Sequence, residues 1–285
     1  MSDFKVGVDF HSGSFRGARV ANESGRLEIG ELFTLDSPQD VNDERVPEDS
    51  SVWSVPDDEV QIKRLYIPQS GNGSVEDRVR FELAQSILED EQEFAFDFHS
   101  TGESDRYLGF IFRRNRLRSL FETFGRTLPD SDNPIPFRVR SLALGLGYLS
   151  FCEKEDGELI CLVDLTDTAA SLCFVHNRSV ADLAWMPLNS SDISSTEVRN
   201  RLAIDLKTVV NFRLSALMDQ GIHVPLASLI VTGEAVDEQL RHALQAYFAV
   251  GVSAPRVHAG YLAESAREDP GTLERYVVAL GLTVN

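Results

Sequence analysis

Apolar residues at alternate positions open the chain. Val6, Val8 and Phe10 stand between smaller or polar neighbours, which predicts a half-buried strand, and Ser12-Gly13-Ser14 predicts a turn into a second strand through Ala18-Arg19-Val20-Ala21. A turn at Asn22-Glu23-Ser24-Gly25 then leads to a third apolar run, Leu27 to Phe33. The same pattern returns in the second half. Leu159-Ile160-Cys161-Leu162-Val163 is an apolar strand ending in Asp164. The turn Leu165-Thr166-Asp167-Thr168 follows, then Ala170 to Val175, a turn at His176 to Ser179, and Val180 to Trp185. Two meanders with an Asp at one corner, Asp9 and Asp164, imply an internal duplication: two related halves facing a shared cleft.

Between the meanders the pattern alternates in kind. Asp36 to Ser51 is acidic and polar and reads as a loop, after which Ser51-Val52-Trp53-Ser54-Val55 and Val60 to Ile67 read as strands, closed by Pro56 and Pro68. Ser74 caps a predicted helix to about Leu88, with Asp77 at the capping-box position and Val79, Leu83 and Ile87 on its apolar side. Phe94, Phe96 and Phe98 share one face of a predicted strand, and Tyr107 to Phe112 forms another. Arg113 to Arg126 has a helical stripe of Leu117, Leu120, Phe121 and Phe124. Phe137 to Val139 is a short strand and Leu142 to Phe151 a helix whose Gly145 and Gly147 point to close helix packing, since no third glycine completes a dinucleotide fingerprint.

Glu153 to Gly157 is a charged turn dividing the chain into an N-terminal lobe with an inserted subdomain, residues 1–152, and a C-terminal lobe, residues 153–285. In the latter, a polar loop at Asn189 to Ser195 precedes the longest predicted helix, Arg201 to Met218, whose buried side carries Leu202, Leu206, Val209, Val210, Leu214 and Leu217. Leu226 to Val231 is a strand, Thr232-Gly233-Glu234 a turn, and Asp237 to Phe248 a helix. Leu273 to Leu282 closes the chain as an apolar helix.

Charge and cysteine content narrow the function. Of 285 residues, 45 are acidic and 27 basic, a formal charge of −18 that repels nucleic acid and anionic lipid, so nucleic-acid binding is set aside. Cys152, Cys161 and Cys173 lack metal or redox spacing and read as buried reduced thiols of a cytoplasmic protein. No signal segment and no membrane-spanning run is expected.

A strand, an Asp and a tight small-residue turn can aim backbone N–H groups at an anion, and two copies of it resemble the actin-like ATPases. The order of elements, the helix bearing Glu82 before a Phe-Asp-Phe strand, the long helix leading to Ile230 to Ala235, and the closing Val278-Ala279-Leu280-Gly281-Leu282 resemble the PilM family of type IV pilus assembly, related to FtsA. The resemblance implies an α/β, actin-like (ribonuclease H-like) duplicated fold of two lobes around a central cleft. It also implies a nucleotide site at Asp9, Ser12, Gly13, Ser14, Arg16, Asp164, Thr166 and Gly233. This sequence departs from the family pattern there. His11 takes a glycine place in the first phosphate loop, Thr166 and Asp167 follow Asp164 in the second, and Glu234 follows Gly233 in the adenosine loop. Bulk and negative charge where phosphates would sit point to a degraded site.

Two functions remain. One is a non-catalytic scaffold without cofactor, cytoplasmic and held at the inner membrane by the cytoplasmic segment of a bitopic pilus or secretion assembly protein, with self-association left open. The other is an ATPase or sugar-kinase-like phosphotransferase in which Asp9 and Asp164 organise ATP with Mg²⁺. The region Arg138-Val139-Arg140-Ser141, where an enzyme of this type would place a base, has no carboxylate, which favours the scaffold. Either Asp alone reads as an ordinary turn residue; their pairing carries the functional reading. The acidic run Glu89, Asp90, Glu91 and Glu93 beside the phenylalanine strand is either a solvated turn or a surface that steers a basic partner to an apolar groove.

Overall fold

The computed structural model describes residues 3–11, 14–23, 25–37, 44–70, 73–126, 136–154, 158–188, 195–263 and 273–284. The first sheet is built from β1 (Asp3–His11), β2 (Ser14–Glu23) and β3 (Arg26–Leu35), an antiparallel meander. It continues in parallel through β4 (Ser51–Val55) and β8 (Phe137–Val139), in the order β3-β2-β1-β4-β8. The second repeats this plan. The meander β9 (Leu159–Leu165), β10 (Ala169–His176) and β11 (Ser179–Pro187) joins β12 (Leu226–Gly233) and β13 (Gly251–Ser253) in parallel, in the order β11-β10-β9-β12-β13. The duplication expected from the two Asp corners is thus a duplication of sheets, strand for strand.

Between β4 and β8 lies an inserted subdomain, an antiparallel sheet of β5 (Val60–Tyr66), β7 (Arg106–Arg113) and β6 (Phe94–Ser100). Helix α1 (Val75–Gln85) covers one face, burying Val79 and Leu83 against Phe94, Phe96, Phe98 and Ile111, so the phenylalanine stripe is core. The Ser74 cap forms as expected: its Oγ accepts from the Asp77 N–H at 3.0 Å and donates to the Asp77 carboxylate at 2.6 Å. The helix stops at Gln85, not near Leu88, because Ser86 Oγ donates to the Leu83 carbonyl in the last turn and the chain then leaves the axis. On the other face, α2 (Arg114–Thr123) sends Leu117 and Phe121 into the main core; Gly125, at φ +67°, ends it in the left-handed conformation that glycine adopts freely.

The two sheets are joined by two central helices, each reaching across. Helix α3 (Arg140–Phe151) leaves the first sheet and packs on β10 and β11. Helix α6 (Val277–Leu282) follows the second sheet yet packs on β1, β2 and β4 of the first. The last helix therefore crosses back over the division drawn between residues 152 and 153. α3 and α6 touch through glycine. A Cβ on Gly147 would stand 2.0 Å from the Val277 carbonyl oxygen, and one on Gly281 would stand 1.7 Å from that of Ala143. Gly145 faces Cys173 in the same way, at 2.4 Å from its sulfur. Close packing is what these glycines do. The long helix is α4 (Thr196–Asp219), capped by Ser195, whose Oγ accepts from the Val198 N–H; it buries Leu202, Leu206, Val210 and Leu217 against the second sheet beside α5 (Glu238–Tyr247). Among the described residues no helix is long and apolar enough to cross a membrane, and no His, Cys, Asp and Glu side chains cluster as a metal site. All three cysteines are buried free thiols.

Candidate functional site

Asp9 and Asp164 lie near the ends of β1 and β9, the central strands of the two separate sheets. One side chain joins them. Arg140, the first residue of α3, donates from Nη2 to Asp9 Oδ2 at 2.9 Å, from Nε to Asp164 Oδ2 at 2.8 Å, and from Nη1 to the Phe10 carbonyl at 2.6 Å. All three residues are withdrawn from water, with relative exposures of 1% for Asp9, 2% for Asp164 and 4% for Arg140. Burial opposes the guanidinium charge, but Asp9, Asp164 and, more weakly, Asp57 outweigh it and hold the group above the usual arginine range. Ser54 on β4 completes the first carboxylate, donating to Asp9 Oδ1 at 2.7 Å.

Sequence reasoning passes over Arg140, because that stretch is searched for an acid and an arginine at a helix start gives no local signal. The predicted helix also begins at Leu142. The actual start two residues earlier puts Arg140 at the sheet junction.

The remaining predicted residues divide. Ser12 and Gly13 lie outside the described residues, while Ser14 opens β2 opposite His11. Arg16 lies across the hairpin from Asp9 and is almost fully buried; it forms an ion pair with Glu234 just beyond β12 and donates to the Arg275 carbonyl at 3.0 Å. The cation of the first loop is thus already paired with the carboxylate of the third. Thr166 closes its own turn, its Oγ1 accepting from the Ala169 and Thr168 N–H groups at 2.9 and 3.3 Å. Gly233 has φ +118°, and a Cβ there would come within 2.1 Å of the Leu165 carbonyl oxygen, so strand packing alone demands the glycine. Asp167 is exposed at the turn.

A second cross-cleft contact obeys the internal symmetry. Ser171 lies opposite Asp164 on β10, as Arg16 lies opposite Asp9 on β2. Ser171 donates to Asp57, which follows β4 as Glu234 follows β12. Asp57 also accepts from the N–H of Ser141 at 3.2 Å and from its hydroxyl. Burial pushes the Asp57 carboxyl up to about 6, against the lowering effect of Ser141, Ser171 and the Arg140 charge. The inserted subdomain adds a third tie, Arg64 Nε donating at 2.7 Å to the buried Asp182 of β11.

An open cavity lies elsewhere. A groove of about 550 Å³ in the inserted subdomain is walled on one side by Asp58, Glu59, Val60 and Gln61, and on the other by Ser86, Ile87, Leu88 and Glu89. Phe94 and Ile111 form part of its floor. Leu88 is fully exposed at its rim. Two arginines enter it in bidentate pairs: Arg113 with Glu89, both bonds 2.7 Å, and Arg116 with Glu59, both 2.9 Å.

No family model matches the sequence, and no curated protein is similar to it. Solved structures are. The chain aligns over 98% of its length, and 97% of the other's, with a structure described as a PilM–PilN type IV pilus biogenesis complex, at 15% identity and a TM-score of 0.66. A Bacteroides thetaiotaomicron protein with an actin-like ATPase fold aligns over 100% of this chain and 97% of its own, at 9% identity and a TM-score of 0.51. The fold is therefore actin-like, as the resemblance in the sequence implied.

Proposed function

We propose that this chain is a non-catalytic actin-like scaffold of a pilus or secretion-type assembly machine, holding the cytoplasmic segment of a membrane-anchored partner. The observation that carries the proposal is Arg140. The two carboxylates that would organise a metal and its water in an ATPase of this fold are spent on a guanidinium of the same chain, and Arg16, the cation of the phosphate loop, is spent on Glu234. A metal-bound triphosphate brought between the lobes would have to displace a buried, doubly paired arginine, whose remaining charge would then lack its partners. These residues do not fit Mg-ATP.

The groove in the inserted subdomain is where a partner fits. Its apolar floor can take side chains of an extended segment, and its lining carboxylates Asp58, Glu59 and Glu89 outnumber Arg113 and Arg116, with Asp90, Glu91 and Glu93 following in the chain. That surplus suits the basic juxtamembrane tail of a single-span protein and speeds its encounter. Cell fractionation tests the reading. The protein is expected at the inner membrane when its bitopic partner is made and in the cytoplasm when it is not. Unchanged fractionation after every membrane component of the assembly system has been deleted would refute it.

A further inference from the structure

Asp57 belongs to the cleft by its contacts and to the groove by its position in the chain. It opens the 3-10 turn Asp57–Glu59, and the next four residues, Asp58 to Gln61, are one wall of the groove. Its carboxylate, 3% exposed, holds Ser141 of α3 and Ser171 of β10. Ser141 adjoins Arg140, and Ser171 lies across the hairpin from Asp164, so both partners of Asp57 are neighbours of the clasp. The turn itself is closed by the Glu59 N–H bonding the Pro56 carbonyl at 3.1 Å, and Glu59 then carries Arg116. Among the described residues no similar path leads to the other wall, whose contacts run through α1 and the Glu89–Arg113 pair.

We propose that Asp57 is the positioning residue that makes the Asp58–Gln61 wall of the groove depend on closure of the cleft. A short rigid turn with its first side chain anchored on both lobes moves as the lobes move, and the groove width follows. When Arg140 holds Asp9 and Asp164 together, Ser141 and Ser171 converge on one carboxylate and the wall is fixed. If the lobes part, Asp57 can follow only one of them. For a docked segment this means that the cleft, though it takes no ligand of its own, sets the affinity of the groove. That consequence rests on the scaffold reading above; the coupling itself does not.

Hydrogen–deuterium exchange on the full chain, with no partner present, separates the two. Arg140→Met is expected to speed exchange at residues 58–61 at least tenfold while leaving residues 86–89 unchanged, and Asp57→Ala to do the same. In the Asp57→Ala background Arg140→Met should add nothing at 58–61. Asp57→Asn, which keeps hydrogen-bonding atoms for both serines, should stay close to the parent. Should Arg140→Met fail to fold, Ser171→Ala, which removes a single hydroxyl and leaves the clasp intact, should give the same one-walled pattern at about threefold. Exchange at 58–61 unmoved by these variants, or both walls accelerating equally, would overturn the coupling while leaving the docking proposal standing.

Discussion

The cleft and the groove are lined by the same chemistry, arginine against carboxylate, and differ in water. In the cleft, Arg140, Asp9 and Asp164 have side chains no more than 5% exposed, and no solvent competes for their hydrogen bonds. In the groove the pairs Arg113–Glu89 and Arg116–Glu59 are between 33% and 62% exposed. A buried pair is costly to break because the partner left behind is an uncompensated charge in a low dielectric. An exposed pair is nearly balanced by hydration, so an incoming ligand can replace it at little cost. The junction of the two sheets is thus held by the chain's own buried side chains, while the inserted subdomain keeps its charges exchangeable.

The largest effect expected from this contrast is on stability. Arg140→Met removes the only described cation between Asp9 and Asp164 and should lower the unfolding free energy by about 3–5 kcal/mol. Arg116→Met in the groove should leave the denaturation midpoint within error of the parent. Equal losses at the two sites, measured by urea unfolding, would erase the distinction.

A smaller effect belongs to Asp57. Its carboxyl binds a proton more readily folded, near pH 6, than unfolded, near the ordinary aspartate value of 3.8. Its contribution to stability is therefore fully present below the unfolded value and is lost as pH rises through about 6. The change is on the order of 3 kcal/mol. Asp57→Asn should flatten stability over this window, seen by comparing urea midpoints at pH 4.5 and 7. Profiles that stay parallel would place the titration elsewhere.

The smallest effect on the fold and the largest on docking should come from the groove. Reversing both carboxylates, Glu59→Lys with Glu89→Lys, should leave the unfolding midpoint within error and turn the rim that attracts a basic tail into one that repels it. Membrane recruitment by the partner should then fall at least tenfold. Retained recruitment would move the docking surface away from the groove.

Much of this was legible in the sequence. The fully apolar run Leu159 to Val163 and the alternation around Val6 announce two meanders, since side-chain period decides between strand and helix before any tertiary contact forms. The stretch Arg201 to Met218 of α4 and its buried Leu202, Leu206, Val210 and Leu217 follow from the same periodicity, as does the phenylalanine face over Leu83, whereas the helix start at Thr196 is set by the Ser195 cap and lies ahead of the apolar stripe. What could not be read is convergence. Arg140 lies 131 residues from Asp9, and Arg116 lies 57 from Glu59, so neither pairing leaves a local trace. At Gly233 close backbone approach is required by Leu165, a neighbour that only the fold supplies. The crossing of α6 back to the first sheet is also tertiary, set by Gly147 and Gly281 meeting backbone that only the fold supplies.

Calorimetric titration of the full chain with Mg-ATP bears most directly on the central claim, that the cleft is filled by the protein itself. The account predicts no saturable heat up to millimolar nucleotide, because binding would have to expel Arg140 from Asp9 and Asp164. A saturable isotherm with micromolar affinity would show that the clasp opens for nucleotide, and the chain would have to be read as an ATPase.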